Sequence, residues 1–221
     1  MKKKNNMPKI IPSLLVTNET DFESQIKSVT GLVDMIQVDL ADGKFVPNTT
    51  WPYQEPQKAQ KHLENIDFEL HLMVEEPLKI IKQWINHKRL KRILVHIEST
   101  NDIESILSEI KMFHKEAGIV LNPTTSIYDA EPYFDKIDSL MLMGVKPGFQ
   151  GQAFIPSTID KIKKVKEINK NVFIEIDGGV NKLTITQIAR AGADVICPGS
   201  AVFKGDNIEN NITDLTNLLT A

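Results

Sequence analysis

Asp39, His71 and Asp177 each close a short apolar run, in MIQVDLADG (35–43), FELHLMV (68–74) and FIEIDGGVN (173–181). If those runs are neighbouring strands, two carboxylates and an imidazole converge at one end of a sheet. The last run continues into Gly178 and Gly179, and a further one, DVICPGSAVF (194–203), turns at Gly199 in the same way. Glycines where a strand gives way to a helix let backbone N–H groups approach an anion closely, and the positive end of a helix dipole adds to the attraction. The pattern is that of a phosphate cradle with titratable side chains beside it.

Positioning these residues requires a repeating scaffold. Eight runs rich in Ile, Val and Leu recur at 9–15, 33–39, 67–73, 92–97, 118–122, 139–145, 172–177 and 194–199. Between them lie amphipathic patterns that predict helices at about 19–30, 53–63, 77–87, 101–114, 126–134, 156–168, 181–191 and 206–219. Apolar runs alternating with helices are the signature of parallel βα units, and eight of each predict a single (β/α)8 TIM barrel over residues 9–221, preceded by a short extension at 1–8. An open doubly wound sheet would call for a GxGxxG turn after the first strand, which is absent. In a barrel the loops after the strand C-termini share one face. There, 40–51 and 146–156 are long, and Gly148 and Gly151 flank Phe149 in a loop able to fold over a ligand.

Composition narrows the class further. The 221 residues are 41% hydrophobic, enough for a full core in one domain, and the net charge of −3 with interspersed Lys and Arg offers no basic stripe for nucleic acid. No apolar run reaches the roughly 20 residues of a membrane helix. The single cysteine, Cys197, excludes an internal disulfide framework and fits a buried small hydrophobe in a reducing cytoplasm. Trp51 and Trp84 read as packing residues, and His62, His87, His96 and His114 as core or surface histidines.

In order along the chain, PSLL, VDLADGKFVPN, HLMV, VLNPTT, PGFQGQ, IDGGVN and GSAVF resemble the motifs of the ribulose-phosphate 3-epimerases, from about residue 9 to 204. The resemblance implies a homo-oligomeric TIM barrel acting on a small phosphorylated sugar with one divalent metal ion, zinc, iron, manganese or cobalt. It places Asp39, His71 and Asp177 on three metal positions and Asp39 and Asp177 on the acid/base pair. Ser13 falls on a substrate-contacting serine, Met73 and Met143 on pocket methionines, Gly178, Gly179, Gly199 and Ser200 on the phosphate grip, and Gly148 and Gly151 in the flexible loop. Inverting C3 of a 2-ketose needs a weakly acidic proton removed from one face and another returned to the opposite face, which two carboxylates can do.

The sequence also departs from that family. Gln37 stands at the fourth metal position, where a histidine is usual, and an amide carbonyl is a harder and weaker donor than imidazole. Ala41 replaces a methionine, Gln150 a glycine, and Lys146 an Asn or Glu. These changes keep two other readings open: an epimerase for a different ketose phosphate, and a phosphosugar-binding barrel that has lost efficient epimerisation. A lyase or decarboxylase on a related barrel ranks below both, because no lysine accompanies Asp39 or His71 at a strand end.

Overall fold

The computed structural model describes residues 7–205 and 207–220. Residues 1–6 of the expected N-terminal extension, and Asp206 of the last expected helix, lie outside them. In chain order the elements are β1 (Lys9–Ile10), β2 (Ser13–Leu14), α1 (Glu19–Val29), β3 (Met35–Ala41), α2 (Trp51–Gln54), α3 (Pro56–His62), β4 (Asp67–Met73), α4 (Pro77–Trp84) and β5 (Leu90–His96). They continue with α5 (Ile103–Met112), β6 (Glu116–Leu121), β7 (Ser139–Met143), α6 (Ser157–Ile168), β8 (Ile174–Asp177), α7 (Ile185–Ala191), β9 (Val195–Cys197), α8 (Ser200–Phe203) and α9 (Ile208–Thr220).

All strand pairs are parallel, in the order β1-β9-β8-β7-β6-β5-β4-β3-β2. The two ends of this order are one stretch of chain. β1 pairs with β9 and β2 with β3, and Pro12 between them, which has no N–H to give, still accepts from Gln37 N at 2.9 Å. Ile11 and Ser13 donate the other way, to Ile196 and Pro198, at 3.0 and 3.1 Å. The first strand thus bonds to both neighbours and the sheet closes into a barrel, as the eight apolar runs predict.

Strand side chains alternate in two directions. Val38, Leu40, Phe68, Leu70 and Leu72 face the helices and join Phe22, Ile81 and Trp84 in the main core. Their neighbours point inward, where Ile11, Leu94, Val120, Met141, Met143, Val195 and Cys197 fill the barrel. Trp51 and Trp84 are buried packing residues, and Cys197 is buried among apolar side chains.

A buried charge cluster sits in the barrel interior, one layer below Asp177 and His71, which follow Glu175 and Glu69 by two residues. Arg92 reaches Glu69 at 2.9 Å, Glu175 at 2.7 Å and the more exposed Glu116 at 2.6 Å. Burial, and then each other's charge, push Glu69 well above the ordinary carboxylate range; Glu175 is raised by burial against the pull of Arg92. Glu69 Oε1 and Glu175 Oε2 have no other donor among the described residues, which suits a proton held between the two carboxyls.

Three helix expectations need correction. The segment 126–134 forms two 3-10 turns, Ile127–Asp129 and Glu131–Tyr133, because the Ser126 hydroxyl caps a tight first turn and Pro132 supplies no donor to continue an α-helix. The expected helix at 53–63 is interrupted before Pro56, giving α2 and α3. After β9 the short α8 precedes α9, so the chain ends in two helices where the pattern suggests one.

Candidate active site

Parallel register brings the strand-end residues together. Asp39 lies directly across from His71, Ser13 across from Gln37, and Asp177 between Met143 and Cys197. Asp39 and Asp177 form part of the floor of a cavity of about 480 Å³ at the C-terminal mouth of the barrel. Ser13, Met73, Met143, Gly148, Gly151, Gly178, Gly179, Gly199 and Ser200 line the same cavity, so one site contains the strand-end carboxylates and both glycine turns. His71 and Gln37 are fully buried just behind the carboxylates.

The floor is tightly connected. Gln37 Nε2 donates to Asp39 Oδ1 and to Asp177 Oδ2, both at 2.9 Å, and lies 3.5 Å from His71 Nδ1. His71 Nδ1 is 3.0 Å from Asp39 Oδ1 and 3.3 Å from Asp177 Oδ2. Burial raises Asp39 to about 6, with the negative charge of Asp177 adding to the rise while the His71 hydrogen bond opposes it. Burial works against charging His71, yet the hydrogen bonds to Asp177 and Asp39 prevail and hold its pKa at about 10. A carboxyl that titrates near neutrality is suited to both taking and giving a proton.

These atoms also suit a cation. The ligand atoms of Asp39, His71 and Asp177 all lie within 4.8 Å of one another. The separations among them and Gln37 Nε2, 2.9–3.5 Å, are those of donors around one ion with bonds of about 2.0–2.2 Å. Gln37 Oε1 is buried without a hydrogen-bond donor among the described residues, and half a turn of the amide would exchange it with Nε2. Two carboxylates, one imidazole and one amide oxygen then make a donor set that fits a divalent metal. A second acidic group, Glu69, Glu175 and Cys197, already holds the Arg92 guanidinium and does not invite one.

The glycine-bearing end of the cavity is built on backbone. Gly178 and Gly179 have φ of 95° and 70°, and a Cβ on Gly179 would come within 2.6 Å of the Phe154 backbone. At Gly199 a Cβ would meet Gln150 Nε2 at 2.4 Å and Ser13 Oγ at 2.9 Å, so a larger residue there would push the Gln150 amide aside. The Gln150 side chain spans the cavity and donates to Ser13 O at 3.0 Å, tying the 146–152 loop to the first strand.

Among the family departures, Gln150 lines the cavity, Ala41 is buried beneath it against Val46 and Met73, and Lys146 is exposed outside the lining. Two features escaped sequence reasoning. Lys204 brings a cation to the rim beside Gly151. His96, expected to be an ordinary core or surface histidine, stacks on His71 with ring centres 5.1 Å apart and places Nε2 3.0 Å from His71 Nε2. Its position at the end of β5, as His71 at the end of β4, is the signal that could have marked it. His62 and His87 keep peripheral roles, bonded to Glu19 and to the Gln60 carbonyl.

Comparison with known proteins agrees with this construction. The chain is 36% identical to a ribulose-phosphate 3-epimerase of Aquifex aeolicus (strain VF5) over 218 residues, covering 96% of this chain and 97% of that one. It is 37% identical to the ribulose-phosphate 3-epimerase of Bacillus subtilis (strain 168) over 217 residues, covering 95% and 98%. Among solved structures, KGPDC from Streptococcus mutans matches with a TM-score of 0.71 at 12% identity, covering 97% of this chain and 98% of that one. A tryptophan synthase alpha-subunit from Pyrococcus furiosus matches with a TM-score of 0.73 at 14% identity over 96% and 98%. Likenesses so remote in sequence speak to the TIM-barrel fold. Residues 9–203 match the model of the ribulose-phosphate 3 epimerase family, and with relatives this similar over nearly the full length, the chain belongs to that family and is an isomerase of the epimerase type.

Proposed function

We propose that the protein inverts C3 of a ketose phosphate, interconverting D-ribulose 5-phosphate and D-xylulose 5-phosphate, with Asp39 and Asp177 as the acid/base pair. The observation that carries this reading is one cavity whose floor holds two carboxylates and whose wall holds two glycine turns. The phosphate is gripped by backbone N–H groups around Gly178, Gly179, Gly199 and Ser200, where a short helix follows the last barrel strand. Lys204 adds charge at the same end. Ser13 and the Met73 and Met143 side chains hold the sugar and keep water from its C2–C3 bond.

With substrate held there, the Asp39 carboxylate accepts the C3 proton from one face, the electrons pass to the C2 carbonyl, and protonated Asp177 returns a proton to C3 from the other face. The reverse reaction exchanges their roles. Asp39, Asp177 and His71, with Gln37 completing the set, are the residues that would hold a divalent ion. Such an ion, when bound, supplies Lewis-acid stabilisation of the enediolate oxygens. In the ion-free arrangement Gln37 keeps the two carboxylates oriented through its amide nitrogen.

Ala41 and Gln150 reshape the substrate side and support the second reading, an epimerase for another ketose phosphate. Membership of this family supports a homo-oligomer, and one buried cysteine suits the cytoplasm. Among the described residues no helix is long and apolar enough to cross a membrane.

Proton–deuterium exchange at C3 of ribulose 5-phosphate, followed by NMR in D₂O with Mn²⁺, Zn²⁺, Co²⁺ or Fe²⁺ added, tests the reading. Exchange with formation of xylulose 5-phosphate is expected. No exchange with any ion moves the assignment to another ketose phosphate, and failure across a panel of those moves it to a binding role. Gln37→His replaces an amide by the family's imidazole and should tighten metal binding, since imidazole is the better donor to these ions. An isothermal titration showing equal or weaker affinity in the variant removes Gln37 from the ligand set.

A further inference from the structure

His96 and Glu98 lie behind the candidate ligands and do not line the cavity. Glu98 Oε1 accepts from Asn122 N at 2.8 Å and from the Thr125 hydroxyl. Its other oxygen, Oε2, faces His96 Nδ1 at 3.2 Å. Burial works to raise Glu98, but the hydrogen bonds from His96 and Thr125 hold its pKa down to about 2, so it is a carboxylate that only accepts. His96 Nδ1 must therefore carry a hydrogen. Both rings are fully buried, and the 3.0 Å between His96 Nε2 and His71 Nε2 admits one hydrogen between them. With the His96 hydrogen held on Nδ1 by Glu98, the hydrogen between the rings belongs to His71 Nε2, which donates.

We propose that Glu98 and His96 are positioning residues that fix the hydrogen-bond direction of His71, so that Nδ1 is the nitrogen whose lone pair can meet a divalent ion between Asp39 and Asp177. The proposal rests on the ligand set put forward above. The surroundings hold this chain of bonds in place. Phe45 packs on His96 with ring centres 4.8 Å apart. Lys161 Nζ donates to the carbonyls of Asn122 and Thr125 at 3.1 and 2.6 Å, fixing the loop that supplies both donors to Glu98. His96 and His71 are both fully buried, so water cannot substitute for a lost partner. A metal-ligating histidine oriented through its second nitrogen is a general device, here built from a second histidine and a carboxylate.

Glu98→Gln tests the direction with almost no change of shape. The backbone N–H of Asn122 and the Thr125 hydroxyl need an acceptor, so the new carbonyl oxygen takes their side and the NH₂ faces His96 Nδ1. His96 must then accept there and carry its hydrogen on Nε2, and His71 must accept at Nε2 and carry its hydrogen on Nδ1. Two results are expected in E98Q. Nitrogen-15 NMR of histidine-labelled protein without added metal shows the His96 hydrogen moved from Nδ1 to Nε2, and calorimetric titration shows Mn²⁺ affinity lower by about 10–100-fold.

Thr125→Val removes one bond to Glu98 without reversing its neighbours and should leave Mn²⁺ affinity near the wild-type value. An unmoved His96 hydrogen, wild-type Mn²⁺ affinity in E98Q, or an equal loss in T125V overturns the positioning role. Wild-type protein that binds no Mn²⁺ sinks the ligand set and the proposal with it, whereas tight wild-type binding with E98Q unaffected sinks the positioning role alone.

Discussion

Asp177→Asn and Asp39→Asn should each abolish epimerisation while the barrel stays folded. Both side chains are bonded to Gln37 and His71, and an amide of the same size can keep some of those bonds. What an amide cannot do is take a proton from carbon or hand one over. Positioned acid/base groups contribute about 10²–10⁴-fold each, so turnover should drop by at least that factor in either variant.

The two variants should also differ in a way that assigns their faces. With Asp177 disabled, Asp39 can still remove and return a proton on its own side, so one epimer exchanges C3 hydrogen with D₂O without inverting. With Asp39 disabled, the other epimer does so. Incubating each variant separately with ribulose 5-phosphate and xylulose 5-phosphate, with circular dichroism to check the fold, reads both effects. Substantial turnover in either variant contradicts the two-carboxylate mechanism.

Arg92→Met should produce the largest loss of stability. The guanidinium is all but buried and supplies the only basic partner within salt-bridge distance of Glu69 and Glu175 among the described residues. Burial opposes its charge, but Glu175, Glu69 and Glu116 outweigh that cost and raise its pKa above the usual arginine value, so it is charged at every accessible pH. Removing one partner of a buried ionic cluster strands the others and costs about 3–5 kcal/mol.

The loss should depend on pH in a defined direction. Glu69 and Glu175 have folded-state pKa values above those of the unfolded chain. Folding therefore favours their protonated forms, and stability falls as pH rises from the unfolded carboxylate pKa towards the folded one. Without Arg92 both folded values climb further, so urea midpoints of the variant should recover at pH 5 relative to pH 8. A loss below about 1 kcal/mol at pH 8, or a midpoint that falls on acidification from pH 8 to pH 5, contradicts this picture.

The apolar runs made the scaffold legible. β4 occupies 67–73 as its composition predicts, and parallel register then brings Asp39, His71 and Asp177 together without any local signal of their contact. The glycine turns were legible for a different reason: Gly179 sits at positive φ where a Cβ would run into the Phe154 backbone, and Gly199 stands where a Cβ would crowd Gln150 and Ser13. What the chain concealed was side-chain partnership. Glu69 and Glu175 each stand two residues before a site residue and so point the same way, into the barrel, yet nothing nearby in sequence reveals that Arg92 meets them. His96 is hidden similarly, because its partner His71 is 25 residues away and its role is set by hydrogen-bond direction. The missing helix at 126–134 marks the reverse error, an amphipathic pattern overruled by one proline.

Closure by the split first strand also orders events during synthesis. β1 and β2 leave the ribosome first, but the partner of β1 is β9, near the far end of the chain. Until about residue 198 has emerged, the nascent sheet is an open ribbon with two bare edges, free to pair with another polypeptide. A chain truncated before Val195 would therefore lose more than the glycine turn at Gly199. It would be a ribbon that cannot be sealed, and the same stretch that completes the cavity wall is the one that protects the newborn protein from its neighbours.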